Sequence, residues 1–94
     1  MRQERKTTYN TFAVLFYINR QKVKKNGLCP LMGRISINTE VAQFSTKMDV
    51  RPDLWDAKAY RLTGKSRTAK ETNAKIDKIE EDIRRYYKEI LDEQ

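Results

Sequence analysis

The chain has 94 residues, room for one sheet-plus-helix core and little more, because a chain of this size buries only roughly two thirds of its unfolded surface. Charged residues make up 35% of it, yet the apolar residues are clustered, which argues for a thin charged globular domain and against disorder. With no histidine, imidazole acid–base catalysis and the commonest metal ligand are both excluded, and the single cysteine, Cys29, builds neither an intrachain disulfide nor a zinc site.

The net charge of +7 is unevenly placed. Residues 1–50 carry nine Lys/Arg against three Asp/Glu, whereas residues 51–94 carry eleven against ten. A basic first half of this kind favours a polyanionic partner, nucleic acid ahead of an anionic membrane surface. No apolar run approaches the ~20 residues of a transmembrane helix, and no apolar signal-peptide core follows the basic start, so a cytoplasmic protein with no membrane partner is expected.

Residues 1–10 are polar and basic without a period and read as a flexible arm, functional or merely a polar start. Thr11 to Ile18 is β-branched and aromatic, the composition of a strand. Phe12, Val14, Phe16 and Ile18 form the bulkier set and are expected inward, with Ala13, Leu15, Tyr17 and Asn19 on the opposite face. Arg20 to Cys29 is a connection holding Arg20, Lys22, Lys24 and Lys25, the densest positive charge in the chain, with Asn26-Gly27 supplying a turn. Pro30 cannot donate a ladder hydrogen bond and belongs at the start of the next strand. From Pro30 to Asn38 the alternation sets Leu31, Gly33, Ile35 and Ile37 toward a core and Met32, Arg34 and Ser36 away from it. Asn38-Thr39-Glu40 makes a tight turn, and Val41 to Thr46 returns as a third strand with Phe44 inward and Gln43 and Ser45 outward. Lys47 to Val50 either extends that strand or forms a short edge.

Pro52 suits the first position of a short helical turn over 52–56, with Leu54 and Trp55 as core plugs. Ala57 to Lys65 reads as a polar loop whose Lys58, Arg61 and Lys65 form a second small basic patch. Thr68-Ala-Lys-Glu71 fits a capping box, with Ser66 as the alternative cap, and a helix is expected over 67–92. Ala69, Ile76, Ile79, Ile83, Tyr86 or Tyr87, and Ile90 recur at spacings of three and four, with Thr72 or Asn73 filling the gap. The expected fold class is α+β, a three-stranded antiparallel sheet over residues 11–50 packed against one long C-terminal helix. Glu80-Glu81-Asp82 is most simply a solvated helix face with i,i+4 partners, Glu80 to Arg84 and Glu81 to Arg85. No catalytic residue, metal site or cofactor is expected.

What the residues do offer is a basic loop beside a polar sheet face. A small sheet can enter the major groove, where Arg is shaped to read guanine, Gln and Asn to read adenine, and flanking Lys to meet phosphates. Arg34, Ser36, Gln43, Ser45 and Asn19 fit the base-facing role, and Arg20, Lys22, Lys24, Lys25 and Lys47 the phosphate role. The alternative for Arg34 is an ordinary surface residue spanning the strands. Outward Leu15 and Tyr17 would also suit a stacking platform for single-stranded nucleic acid or RNA, and Tyr86, Tyr87, Ile90 and Leu91 a protein-interaction surface on the helix.

The ordered run Phe16-Tyr-Ile-Asn-Arg20, Lys24-Lys-Asn-Gly27, Pro30-Leu-Met-Gly-Arg34-Ile-Ser-Ile, Phe44-Ser-Thr and Val50-Arg-Pro52-Asp-Leu-Trp55-Asp resembles the N-terminal arm-type DNA-binding domain of tyrosine recombinases, closest to integrases of Bacteroides-like mobile elements. Gly64-Lys-Ser66 at the entry to a long helix fits the same pattern. The resemblance implies a non-catalytic domain whose three-stranded sheet inserts into the major groove of arm-type sites in double-stranded DNA. It points to Arg34, its outward neighbours on the sheet and the basic loop as the contact residues, and to other recombinase subunits as further partners through the C-terminal helix. The catalytic domain of such an enzyme is then expected outside this chain. Three departures stand out: Thr46-Lys47-Met48 replaces an expected Thr-Gly, Asn38-Thr39-Glu40 lacks a turn glycine, and Gly33 stands where a larger apolar residue is common.

Overall fold

The computed structural model describes residues 11–92, so the N-terminal arm expected over 1–10 lies outside the described residues. The chain divides into two compact units, Met1–Pro52 and Asp53–Gln94. The elements follow the α+β expectation, with one addition, a second small sheet.

The first unit is an antiparallel meander of β1 (Phe12–Ile18), β2 (Cys29–Ile37) and β3 (Glu40–Val50), with β2 in the middle. Its register places Val14 opposite Ile35, Phe16 opposite Gly33, and Ile18 opposite Leu31. These are the inward residues: Val14, Phe16, Ile18, Cys29, Leu31 and Val50 are buried. The parity expected for β1 is the observed one, although both of its faces are apolar. Burial fades toward the turn at Asn38-Thr39. Ile37 was expected to be a core residue but is 38% exposed, because its cross-strand neighbours there are Phe12 on one side and the charged Glu40 on the other.

Gly33 has a packing reason. The Phe44 ring lies against it, so that a Cβ at residue 33 would meet the ring carbon Cζ in overlap and Cε1 at 2.6 Å. Phe44 in turn meets Phe16 edge-on, with centroids 6.4 Å apart and an interplanar angle of 84°. The missing side chain is thus filled from the neighbouring strand, and a larger residue at 33 would displace Phe44.

β3 runs on through Lys47–Val50, past a bulge. The register shifts between Leu31, paired with Met48, and Met32, paired with Ser45, leaving Thr46 and Lys47 as extra residues. Lys47 adopts φ 66° to make the bulge. Side chains hold it: the Thr46 hydroxyl donates to the Leu31 carbonyl at 2.7 Å and accepts from Met48 N–H, and Ser45 Oγ accepts from Lys47 N–H.

A 3-10 turn over Pro52–Leu54 leads into the second unit, where β4 (Trp55–Asp56) pairs with β5 (Arg61–Leu62). The polar loop expected over 57–65 is therefore partly a hairpin. Its signal was hidden because the strands are only two residues long and the turn is built on Asp56, whose carboxylate accepts from Lys58 and Ala59 N–H. Trp55 and Leu62 are buried.

Helix α1 (Arg67–Asp92) follows. Its cap is Ser66, whose Oγ accepts from Ala69 N–H at 3.1 Å; the capping box at Thr68 is displaced because Thr68 already lies inside the helix. Ala69 and Ile76 are buried, and Asn73, Ile79, Ile83 and Tyr87 are half-buried, so the stripe passes through Asn73 and Tyr87 rather than Tyr86. Asn73 docks the hairpin on the helix by two hydrogen bonds, accepting from Leu62 N–H at 2.8 Å and donating to Leu62 C=O at 3.0 Å.

Candidate nucleic-acid interface

The alternation that buries Phe16 and Leu31 turns a second set of side chains to the other face of the meander. The register arranges them in three rows across the strands: Ala13–Ser36–Val41, Leu15–Arg34–Gln43 and Tyr17–Met32–Ser45. Arg34 is at the centre, and Ser36, Gln43 and Ser45 share its face, as the sequence pattern implies. The face is less polar than expected, since Leu15, Tyr17 and Met32 are half-exposed and Val41 is 57% exposed.

The Arg34 guanidinium carbon sits over the Tyr17 ring, 5.9 Å from its centroid. The two residues are diagonal neighbours on adjacent strands, a separation that an arginine and an aromatic ring can bridge. Nε of Arg34 is sealed from water and has no hydrogen-bond partner, and no described carboxylate forms a salt bridge with this residue. The Nη edge is left to do the donating. This contact lies beyond what sequence pattern reveals, because its only signal is the diagonal offset, which exists once the register is known.

The positive charge gathers at one end of the sheet. There β1 ends at Ile18, β2 begins at Cys29 and the β3 bulge holds Lys47. Arg20–Lys22 is a 3-10 turn capped by Asn19, whose Oδ1 accepts from Gln21 N–H at 3.1 Å. Asn19 Oδ1 is thus engaged by the backbone of the turn it caps. The connection closes through backbone bonds from Lys24 N–H to Leu28 C=O and from Gly27 N–H to Lys24 C=O, with Gly27 left-handed at φ 85°. Arg20, Lys22, Lys25 and Lys47 are exposed and make no ion pair among the described residues. Lys24 differs, because its Nζ lies 2.8 Å from Asp49 Oδ2.

In the second basic patch, expected at Lys58, Arg61 and Lys65, the central arginine is not a free charge. Arg61 is held by Asp77 at 2.7 Å and Glu80 at 3.0 Å, and Arg84 also donates to Glu80 at 2.9 Å. Burial pushes the Glu80 carboxyl up, but hydrogen bonds from Arg61 and Arg84 outweigh it and hold this group below its ordinary value of 4.5. The Glu80–Arg84 pair is the expected one, whereas Arg85 reaches Asp82 at i,i+3 instead of Glu81.

A basic unit built on a three-stranded antiparallel sheet, with an arginine at the centre of one face and cations at one end, defines a small nucleic-acid-binding domain. The chain belongs to the Arm DNA-binding domain family, whose family model matches residues 16–94. This is the arm-type DNA-binding domain of phage and tyrosine integrases, the group the sequence resembles, and such a domain is itself non-catalytic. No curated protein and no solved structure matches the chain. No helix among the described residues is long and apolar enough to cross a membrane.

Proposed function

We propose that the chain is the sequence-specific, double-stranded-DNA-binding module of a site-specific tyrosine recombinase, acting in the cytoplasm with its catalytic domain elsewhere in the full protein. The face bearing Arg34 enters the major groove of an arm-type site, and the cations at the end of the sheet meet phosphates. The observation that carries this reading is Arg34 itself: central, free of any described carboxylate, set over Tyr17, and directly opposite Gln43. Arginine pairs in a bidentate manner with guanine O6 and N7, and glutamine with adenine N6 and N7, so the central row carries two base-reading side chains. Ser36 and Ser45 are shorter polar contacts on the same face. Arg20, Lys22, Lys25 and Lys47 position the sheet, with Lys24 a weaker contributor because Asp49 neutralises it.

Arg34→Ala should cost about 1–3 kcal/mol on a selected duplex and much less on random duplex, as measured by fluorescence anisotropy at fixed salt. Equal losses on both duplexes would remove direct readout from the proposal. Preference for single strands in a competition assay would favour the stacking alternative, although the Tyr17 ring is already engaged by Arg34. Association with other recombinase subunits through α1 is a second reading supported by Tyr86 and Ile90, which are 62% and 54% exposed. A sedimentation coefficient that rises with concentration would bear it out.

A further inference from the structure

The less buried face of the meander carries more apolar surface than phosphate binding needs. Around Arg34 stand Leu15, directly opposite on β1, Tyr17 on the diagonal, Met32 two residues back along β2, and Val41 toward the turn. Gln43, on the β3 side, is the polar neighbour in the same row. Apolar side chains left partly in water around a cation suit a partner that offers apolar contact and a hydrogen-bond acceptor side by side. The basic charge of this unit selects the partner: seven Lys/Arg against two Asp/Glu over residues 11–52. In the major groove of duplex DNA the apolar group is the 5-methyl of a pyrimidine, and the acceptor pair that fits a guanidinium is guanine O6 and N7.

We infer that Leu15 and Arg34 read together a 5-methylpyrimidine adjacent to a guanine. This rests on the proposed DNA-binding role of the face and adds the chemistry of its ligand, a duplex carrying thymine or 5-methylcytosine beside the guanine. The Arg34 Nη edge donates to O6 and N7, the Tyr17 ring fixes the plane of the guanidinium, and Leu15 packs on the methyl group, which projects into the groove. Strands ~4.8 Å apart set the two side chains close enough to address neighbouring base pairs, which rise ~3.4 Å apart. Because the contact is to the methyl group, 5-methylcytosine and thymine present Leu15 with the same feature, whereas uracil and cytosine lack it.

The test uses the 94-residue chain and a fluorescein-labelled duplex selected from a randomised pool. In that duplex single thymines are replaced by deoxyuridine and single guanines by 7-deazaguanine. One guanine should be essential, and loss of the methyl group from its neighbouring pyrimidine should weaken binding about fourfold, the worth of one buried methyl. Where the step allows a cytosine, 5-methylcytosine should bind better than cytosine by a similar factor. Leu15→Ala should erase the methyl response and leave the salt slope unchanged, with circular dichroism confirming that the variant is folded. Should it not fold, the atom-substituted duplexes decide the matter on the wild-type chain. An essential guanine with no methyl response at either flank overturns the inference and leaves the DNA-binding role standing. So does a methyl response that persists in folded Leu15→Ala. Failure to enrich any sequence overturns the DNA-reading role itself, and the inference with it; capture of a protein by the same face, blocked by Arg34→Ala, would have the same effect.

Discussion

Asn38, Lys47 and Tyr60 hold φ values of 57°, 66° and 57° without being glycine. Asparagine tolerates this region because its short amide bonds locally, and Asn38 Oδ1 accepts from Thr11 N–H, tying the turn to the start of β1. It therefore does the work of the turn glycine that the resemblance leads one to expect. Lysine has no such compensation. At Lys47 the bulge stands where the resemblance calls for glycine, and the lysine holds a conformation that costs roughly 1 kcal/mol for a residue with a Cβ. Lys47→Gly should therefore raise stability by about 0.5–1 kcal/mol, read as a higher midpoint in urea with unchanged m, while weakening DNA binding by one phosphate contact. Loss of stability would mean that the bulge does not govern the choice of residue here. A cation thus occupies a glycine position, at a cost in stability that a phosphate contact would justify.

Among the elements, the two-residue strands β4 and β5 are too short to stand alone, and their stability is borrowed from α1. Asn73 acts toward Leu62 as a strand would, offering one donor and one acceptor to its backbone. Asn73→Ala leaves both backbone groups of buried Leu62 without that partner and should cost about 1–3 kcal/mol. Hydrogen exchange at Leu62 should accelerate with it, and an unchanged rate would place the docking force elsewhere. Arg61 reinforces the same joint through Asp77 and Glu80. Glu80 has a folded-state pKa below its unfolded value near 4.5, so the folded protein binds fewer protons in that window. Its contribution is present above about pH 4.5 and is lost as pH falls through the lower folded value. Thermal melts at about pH 3 and pH 6 should differ less for Glu80→Gln than for the parent, the variant being the less stable of the two at the higher pH. An equal pH response in both would remove Glu80 from the account.

On the scale of the whole molecule, charge is sorted by unit. In the second unit, basic side chains alternate with acids along α1 and pair with them at i,i+3 and i,i+4, pairs worth little stability each but effective in cancelling charge. Among the described residues of the first unit, Arg20, Lys22, Lys25, Arg34 and Lys47 have no such partner. The logarithm of DNA affinity should fall steeply with the logarithm of salt, and the slope should drop by roughly 0.9 for each phosphate contact removed. Lys25→Ala should show that drop, and Lys24→Ala clearly less, because Asp49 already neutralises Lys24. Equal slopes for the two variants would show that the Lys24–Asp49 pair opens on binding.

The sequence by itself determined the three strands of the meander, the long helix and the facing of the strand residues argued above other than Ile37, because alternation and 3.6-residue periodicity are local and the chain largely obeys them. It also carried the charge division, which is a matter of composition, and the family, which rests on ordered spacing. Tertiary structure alone decided what depends on register and on distant partners. Phe44 over Gly33 explains a glycine that looks misplaced along the chain. The bulge at Thr46 and Lys47 explains why a glycine is expected where the lysine stands. Arg61 reads as a free cation until Asp77 and Glu80, many residues away, are seen to hold it. Arg34 reads as a lone charge on a polar face until the diagonal across two strands brings Tyr17 beneath it and Leu15 beside it. Side-chain contacts between strands follow from the pairing register, and the register is fixed by the cooperative closing of the turns and the bulge rather than by any one segment.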